Sequence, residues 1–130
     1  MKKTIIILCA IYIACGIHNQ FFNHNHTNDQ IVNAIYLAEG GDQATYLYGI
    51  RSVSYDTPAE ARRICLNTVR NNRKRYADYG NIKHRTFLEF LASRYCPLGA
   101  DNDPRGLNKN WLKNVKYFLE AKWSKHQQHL

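Results

Sequence analysis

Twice in this chain a threonine is followed three residues later by a glutamate, at the head of a run with helical apolar spacing. The tetrads are Thr57-Pro58-Ala59-Glu60 and Thr86-Phe87-Leu88-Glu89. In this capping-box pattern the hydroxyl and the carboxylate satisfy backbone N–H groups that a first helical turn leaves without partners. Pro58 reinforces the first start, because its fixed φ and missing N–H suit the first helical position. The spacing predicts a helix from Pro58 to about Tyr79, ended by Gly80, with Ala61, Ile64, Cys65, Thr68 and Val69 inward. The second start predicts a helix with Phe87, Phe90, Leu91 and Tyr95 on its apolar face, stopped by Pro97.

Two further helices flank this pair. One is capped by Asn28 or Asp29, carries Ile31, Ile35 and Ala38 on a buried stripe, and ends at Gly40-Gly41. The other is capped by Asn108 and buries Trp111, Leu112, Val115, Phe118 and Leu119. Between the first two helices, Tyr46, Tyr48, Ile50 and Val53 roughly alternate with other residues, and Gly49 interrupts them. The expected fold is therefore mainly α, a helical domain with a short irregular β segment near residues 45–54.

The amino terminus has a different character. Met1-Lys2-Lys3 precedes an apolar run from Thr4 to Gly16. That length suits a secretory leader and is short for a membrane span. Residues 1–16 read as a signal peptide cleaved after Gly16; lipidation at Cys15 and retention as an uncleaved anchor are the alternatives. Residues 17–27 are a polar linker holding His18, His24 and His26, and residues 123–130 a polar tail. Removing the leader leaves about 110 residues, one domain's worth. The formal charge of +8 becomes +6 without Lys2 and Lys3, which suits an anionic partner. The expected location is the periplasm or the extracellular space, with membrane anchoring through the leader as the variant. Two cysteines, Cys65 and Cys96, remain in the exported part, and an even pair there predicts a disulfide, with two buried free thiols as the alternative. Such a loop of about thirty residues contributes roughly 3–4 kcal/mol on the chain-entropy model. No CxxC or Cys/His spacing of a zinc site is present, and no metal is expected; a metal held by the clustered His18, His24 and His26 is the disfavoured alternative to a plain linker.

Glu39 is the candidate for chemistry. It projects from the last turn of the first helix, in Ile35-Tyr36-Leu37-Ala38-Glu39-Gly40-Gly41, at the edge of the core. Partial burial and the negative end of the helix dipole both oppose its ionisation, which suits a general acid. The plain alternative is a solvated surface glutamate before a glycine cap. The stretch Ala34–Gly41, the turn Tyr48-Gly49-Ile50, and the closing Asn102-Asp103 with Leu107–Val115 resemble small exported or phage-associated proteins of the lysozyme-like superfamily. The nearest group is the lytic transglycosylases and their muramidase relatives. The resemblance covers about residues 28–120 and implies an α+β lysozyme-like fold. It also implies a cleft in which a glutamate at a helix end lies beside a glycine-containing turn; Glu39 and Tyr48-Gly49-Ile50 match those two parts. The sequence departs from that family in placing Gly40 where it has serine, in Ser52 for the glutamine of its turn, and in a shorter spacing from Glu39 to Gly49.

The resemblance implies cleavage of the MurNAc–GlcNAc bond in peptidoglycan glycan strands, with no cofactor. Hydrolysis requires a second carboxylate; Asp42 and Asp56 are the nearest in sequence and neither stands out. A transglycosylase needs one acid, so the reaction expected is lytic transglycosylation, with muramidase hydrolysis as the alternative. Tyr46, Tyr48 and Tyr55 are candidate stacking faces for sugars, and Arg51 and Ser52 candidate hydrogen-bond partners. Each also has a plain reading, as packing or as solvated surface. The basic run Arg70-Asn71-Asn72-Arg73-Lys74-Arg75, after Arg62-Arg63, is a solvated helix face or a surface for anionic wall polymers or lipid headgroups. It lacks a recognition motif for nucleic acid, which is the disfavoured partner. The rival class is a non-catalytic exported wall-binding or nucleic-acid-binding basic helical module. The expected state is a monomer.

Overall fold

The computed structural model describes residues 26–127, with side chains through Ala121. Among the described residues four helices, α1 (Asn28–Ala38), α2 (Pro58–Asp78), α3 (Phe87–Tyr95) and α4 (Trp111–Gln127), follow one another. Short 3-10 turns lie at Gly41–Gln43, Leu47–Gly49, Gly80–Ile82 and Leu107–Asn110. The fold is mainly α, and no strand occurs among the described residues. The expected leader, residues 1–16 with Cys9 and Cys15, residues 17–25 of the expected linker with His18 and His24, and residues 128–130 lie outside the described part. No described helix is long and apolar enough to cross a membrane.

The helix starts show which capping signals act locally. Thr86 and Glu89 form the full reciprocal box, at 3.2 and 3.1 Å. Thr57 accepts from the Glu60 N–H at 3.1 Å, but the Glu60 carboxylate reaches back to the Asp56 N–H instead. α1 is capped by Thr27, boxed with Gln30, and not by Asn28 or Asp29. Those two side chains serve other contacts: Asn28 accepts from Arg73 at 2.6 Å and Asp29 pairs with Arg62 at 2.7 Å. Asn108 does not cap α4 either. The Asp103 carboxylate accepts from the Leu107 and Asn108 N–H groups at 2.7 and 2.9 Å, and the Asn108 amide donates to the Pro97 carbonyl. α4 continues through Gln127, past residue 123 where the polar sequence predicts a tail.

α1 lies at the centre, packed chiefly on α4 and α2. Ile31, Val32, Ala34 and Ile35 are all buried, a wider face than the expected stripe, while Ala38 is half-buried. Ala61, Cys65 and Val69 of α2, Leu91 of α3, and Trp111, Val115 and Leu119 of α4 close around them. Ile64 and Thr68 sit at the margin of the α2 stripe, and Asn72 takes the next inward place. Full burial of a large aliphatic side chain contributes about 1.5–3 kcal/mol. Three such side chains on α1 fix that helix firmly, and so fix whatever its last turn carries.

Two further expectations are overturned. The alternation over residues 45–54 does not make a β segment. Tyr48 and Gly49 take left-handed φ values of 57° and 69°, and the chain folds into a 3-10 turn. Cys65 and Cys96 are free thiols, not a disulfide. Cys65 faces the core, and it is Tyr95 that α3 turns toward it, Oη standing 3.8 Å from Sγ. Cys96 is the residue after α3, at its C-cap.

Candidate active site

The site is built on the carboxyl end of α1. The helix stops at Ala38, and Glu39 takes the C-cap position with its N–H still bonded to the Ile35 carbonyl at 2.9 Å. Gly40 then turns the chain at φ 107°, a conformation open to glycine. The Glu39 side chain is thereby aimed from a fixed helix end into the space between the Leu47–Gly49 turn and the start of α4.

Two contacts define its surroundings. A Cβ placed on Gly49 would lie 2.7 Å from the Glu39 carboxyl carbon and within 2.9 Å of both oxygens. Gly49 is thus required twice, for its positive φ and for this close approach. From the other side the Trp111 indole N–H donates to Glu39 Oε1 at 2.8 Å. Burial pushes the carboxyl above its ordinary pKa; the indole hydrogen bond and the Arg51 guanidinium pull it partly back. Because Oε1 faces an N–H donor, the proton of the neutral acid belongs on Oε2.

The turn itself is held from below. Gly49 N–H bonds to the Tyr46 carbonyl at 3.0 Å and Ile50 N–H to the Leu47 carbonyl at 3.1 Å. The Tyr55 hydroxyl accepts from Leu47 N–H at 2.9 Å. The Tyr95 hydroxyl donates to the Tyr48 carbonyl. Tyr95 also stacks on Trp111, with ring centroids 5.0 Å apart and planes 24° from parallel.

The other predicted site residues divide. Tyr46 is exposed, with the Arg51 guanidinium 5.4 Å over its ring, so these two form a surface platform on the turn. Ser52 is exposed beside them. Tyr48 is only 7% exposed and packs on Tyr36 at 5.2 Å, so its ring serves mainly the core. Its remaining surface, with Tyr36, Asp42, Leu47, Pro58, Ala59 and Arg62, lines a pocket of about 480 Å³; Glu39 is not on that wall. Tyr55 is half-buried and bound to the turn's backbone.

Neither candidate second acid is brought to Glu39 by a contact. Asp42 accepts a hydrogen bond from the Tyr36 hydroxyl, and Asp56 lies exposed before α2, its N–H bonded to Glu60. The two thiols are poor nucleophiles here, since burial pushes Cys65 up to about 11 and Cys96 up to about 12. No group of three or more His, Cys, Asp or Glu able to hold a metal occurs among the described residues.

Trp111 and Tyr95 are the residues that sequence reasoning assigned to packing alone. Each pairs an apolar ring with one polar atom, and such side chains find a partner for that atom when buried. That rule was the available signal, although it does not name the partner.

The basic run of α2 is partly committed within the molecule. Arg62 pairs with Asp29, and Arg63 with Glu60 at 3.4 Å. Arg73 binds Asn28 and the His26 carbonyl and lies 4.5 Å over the Phe87 ring. Arg70, Lys74 and Arg75 are exposed. Comparison with family models, curated proteins and solved structures finds no match to this chain.

Proposed function

We propose that this chain is an exported lysozyme-like enzyme that cleaves the MurNAc–GlcNAc bond of peptidoglycan glycan strands by lytic transglycosylation, with Glu39 as its acid and base. The observation that carries this reading is the position of one carboxyl group. Glu39 stands on a rigid helix end, partly buried, pressed against Gly49 and oriented by the Trp111 N–H. Departure of a sugar oxygen requires a proton, and a carboxyl group whose pKa burial raises is suited to supply it. The Arg51 charge and the indole N–H then stabilise the carboxylate left behind.

The second half-reaction needs a base close to the same place. By the resemblance, the newly formed Glu39 carboxylate takes the proton of the sugar's own C6 hydroxyl. That oxygen closes on C1 and yields a 1,6-anhydro end, so no water is consumed and the glutamate returns to its acid form. The Asp42 carboxylate is engaged by the Tyr36 hydroxyl, and Asp56 lies exposed before α2 with no contact to Glu39, which supports the route needing one acid over hydrolysis, which needs two. Tyr46 and Arg51 supply an aromatic face and donors beside the turn for the strand's sugars.

Arg70, Lys74 and Arg75 supply attraction to anionic wall polymers or a membrane surface, which weakens with salt. Internal pairing of Arg62, Arg63 and Arg73 leaves fewer cations for phosphates and weighs against nucleic acid. Mass spectrometry of the products from purified peptidoglycan tests the reaction. Anhydro-sugar ends are expected; reducing ends would reassign the protein as a muramidase. An absence of cleavage, with retention on the wall, would make it a binding module.

A further inference from the structure

We propose that Tyr95 is the positioning residue of the Glu39 site, holding both surfaces that confine the carboxyl group. The inference rests on the reading of Glu39 given above, and it assigns a job to a side chain that touches neither substrate nor reacting atom.

The two surfaces are Gly49 and the Trp111 indole, and they come from segments far apart in the chain. Tyr95 contacts both segments at once. Its hydroxyl donates to the Tyr48 carbonyl, the atom that begins the peptide unit leading into Gly49. Tyr48 adopts φ 57°, which a bulky residue holds only where its surroundings over-determine it. The Tyr95 hydroxyl is one such determinant, and the Tyr48–Tyr36 ring contact is another. The ring of Tyr95 lies flat against Trp111 at 5.0 Å and sets the plane in which the indole N–H points. Cys65 Sγ, 3.8 Å from Tyr95 Oη, marks the place where α2 backs the hydroxyl. Removing the hydroxyl frees the turn while leaving the stack; removing the ring frees both.

The charged and titratable groups around this point are known. Arg51 acts on Glu39 and Cys96 from the segment after the turn, Arg62 acts on Cys65 from α2, and Asp103 acts on Cys96 from the loop before α4; Cys65, Tyr95 and Cys96 in turn feel the Glu39 charge from α2, α3 and the α3 C-cap. Burial keeps both thiols and the Tyr95 hydroxyl protonated well above neutral pH. None of the three therefore titrates alongside Glu39.

The test follows the ¹³C resonance of the Glu39 carboxyl and the Trp111 indole N–H through a pH titration, in wild type and Tyr95→Phe. In Tyr95→Phe the loosened turn admits water, and the Glu39 midpoint moves down toward the ordinary carboxylate range. Turnover of peptidoglycan fragments falls about 10- to 100-fold with KM nearly unchanged, as misplacement of a reacting group demands. A folded Tyr95→Phe protein with an unmoved Glu39 midpoint overturns the proposal. Should that variant fail to fold, 4-aminophenylalanine at position 95 keeps the ring and its stack and replaces the hydroxyl by a weaker donor. The Glu39 carboxyl midpoint then moves down from the wild-type value if the hydroxyl holds the turn, and stays at the wild-type value if Tyr95 is core packing alone. The titration reads the carboxyl whether or not the protein is an enzyme. A wild type that leaves peptidoglycan intact therefore defeats the catalytic reading, and an active wild type with unmoved spectra defeats only the role of Tyr95.

Discussion

Glutamates stand at both kinds of helix end in this molecule, and the two settings differ in every respect. Glu60 and Glu89 lie in the first turns of α2 and α3, where backbone N–H groups without helical partners receive their carboxylates. Glu39 lies at the other end of α1, where the orphan groups are carbonyls and the helix dipole opposes negative charge. There the fold adds burial and a bare glycine surface. At the helix starts ionisation helps the structure. At the end of α1 ionisation is costly, and that cost is what makes a carboxyl group useful as a proton donor.

Gly49→Ala should give the largest break in this contrast. The added Cβ collides with the Glu39 carboxyl and must also adopt positive φ. Denaturant melts should show a loss of about 2–3 kcal/mol, with peptidoglycan clearing abolished. Trp111→Phe is expected to cost less, about 1–2 kcal/mol, by leaving Glu39 Oε1 without its donor. Because that hydrogen bond favours the ionised form, its loss raises the Glu39 midpoint further, and the alkaline limb of the pH–activity profile should move up. Thr86→Ala probes the opposite kind of end. It should lower stability by about 1 kcal/mol and leave the Glu39 titration in place.

The pH dependence of stability is a smaller effect with a definite sign. Glu39 has a raised pKa in the folded protein, so between the unfolded and folded midpoints the native state binds more protons. Its contribution to stability is fully present below the ordinary carboxylate pKa and is lost as pH rises through the folded midpoint. Urea melts over that range should show wild type losing ground to Glu39→Gln, in which the ionisation is removed and the Oε1 acceptor is kept.

What the sequence revealed follows the range of the interactions involved. The Thr57 and Thr86 starts were legible because a cap and its N–H lie three residues apart. The end of α1 was legible from Gly40-Gly41. The cap at Asp103 was hidden, because its carboxylate reaches Leu107 and Asn108 across a loop. The alternating tyrosines imitate a strand, but Tyr48 and Gly49 adopt positive φ and turn the chain instead. The cysteine pair misled because spacing says nothing of rotation about α3, which presents Tyr95 to Cys65. Glu39 was found from its local setting, whereas Trp111, 72 residues away in sequence, became its partner only in three dimensions.

The role of Glu39 is tested most directly by comparing wild type and Glu39→Gln on purified peptidoglycan, after confirming that both are folded. Glutamine preserves the acceptor for Trp111 and removes only the transferable proton. The expected result is a loss of clearing rate of about 10²- to 10⁴-fold, the usual contribution of a positioned general acid. Equal clearing by the two proteins would contradict it and return Glu39 to the structural glutamates at the other helix ends.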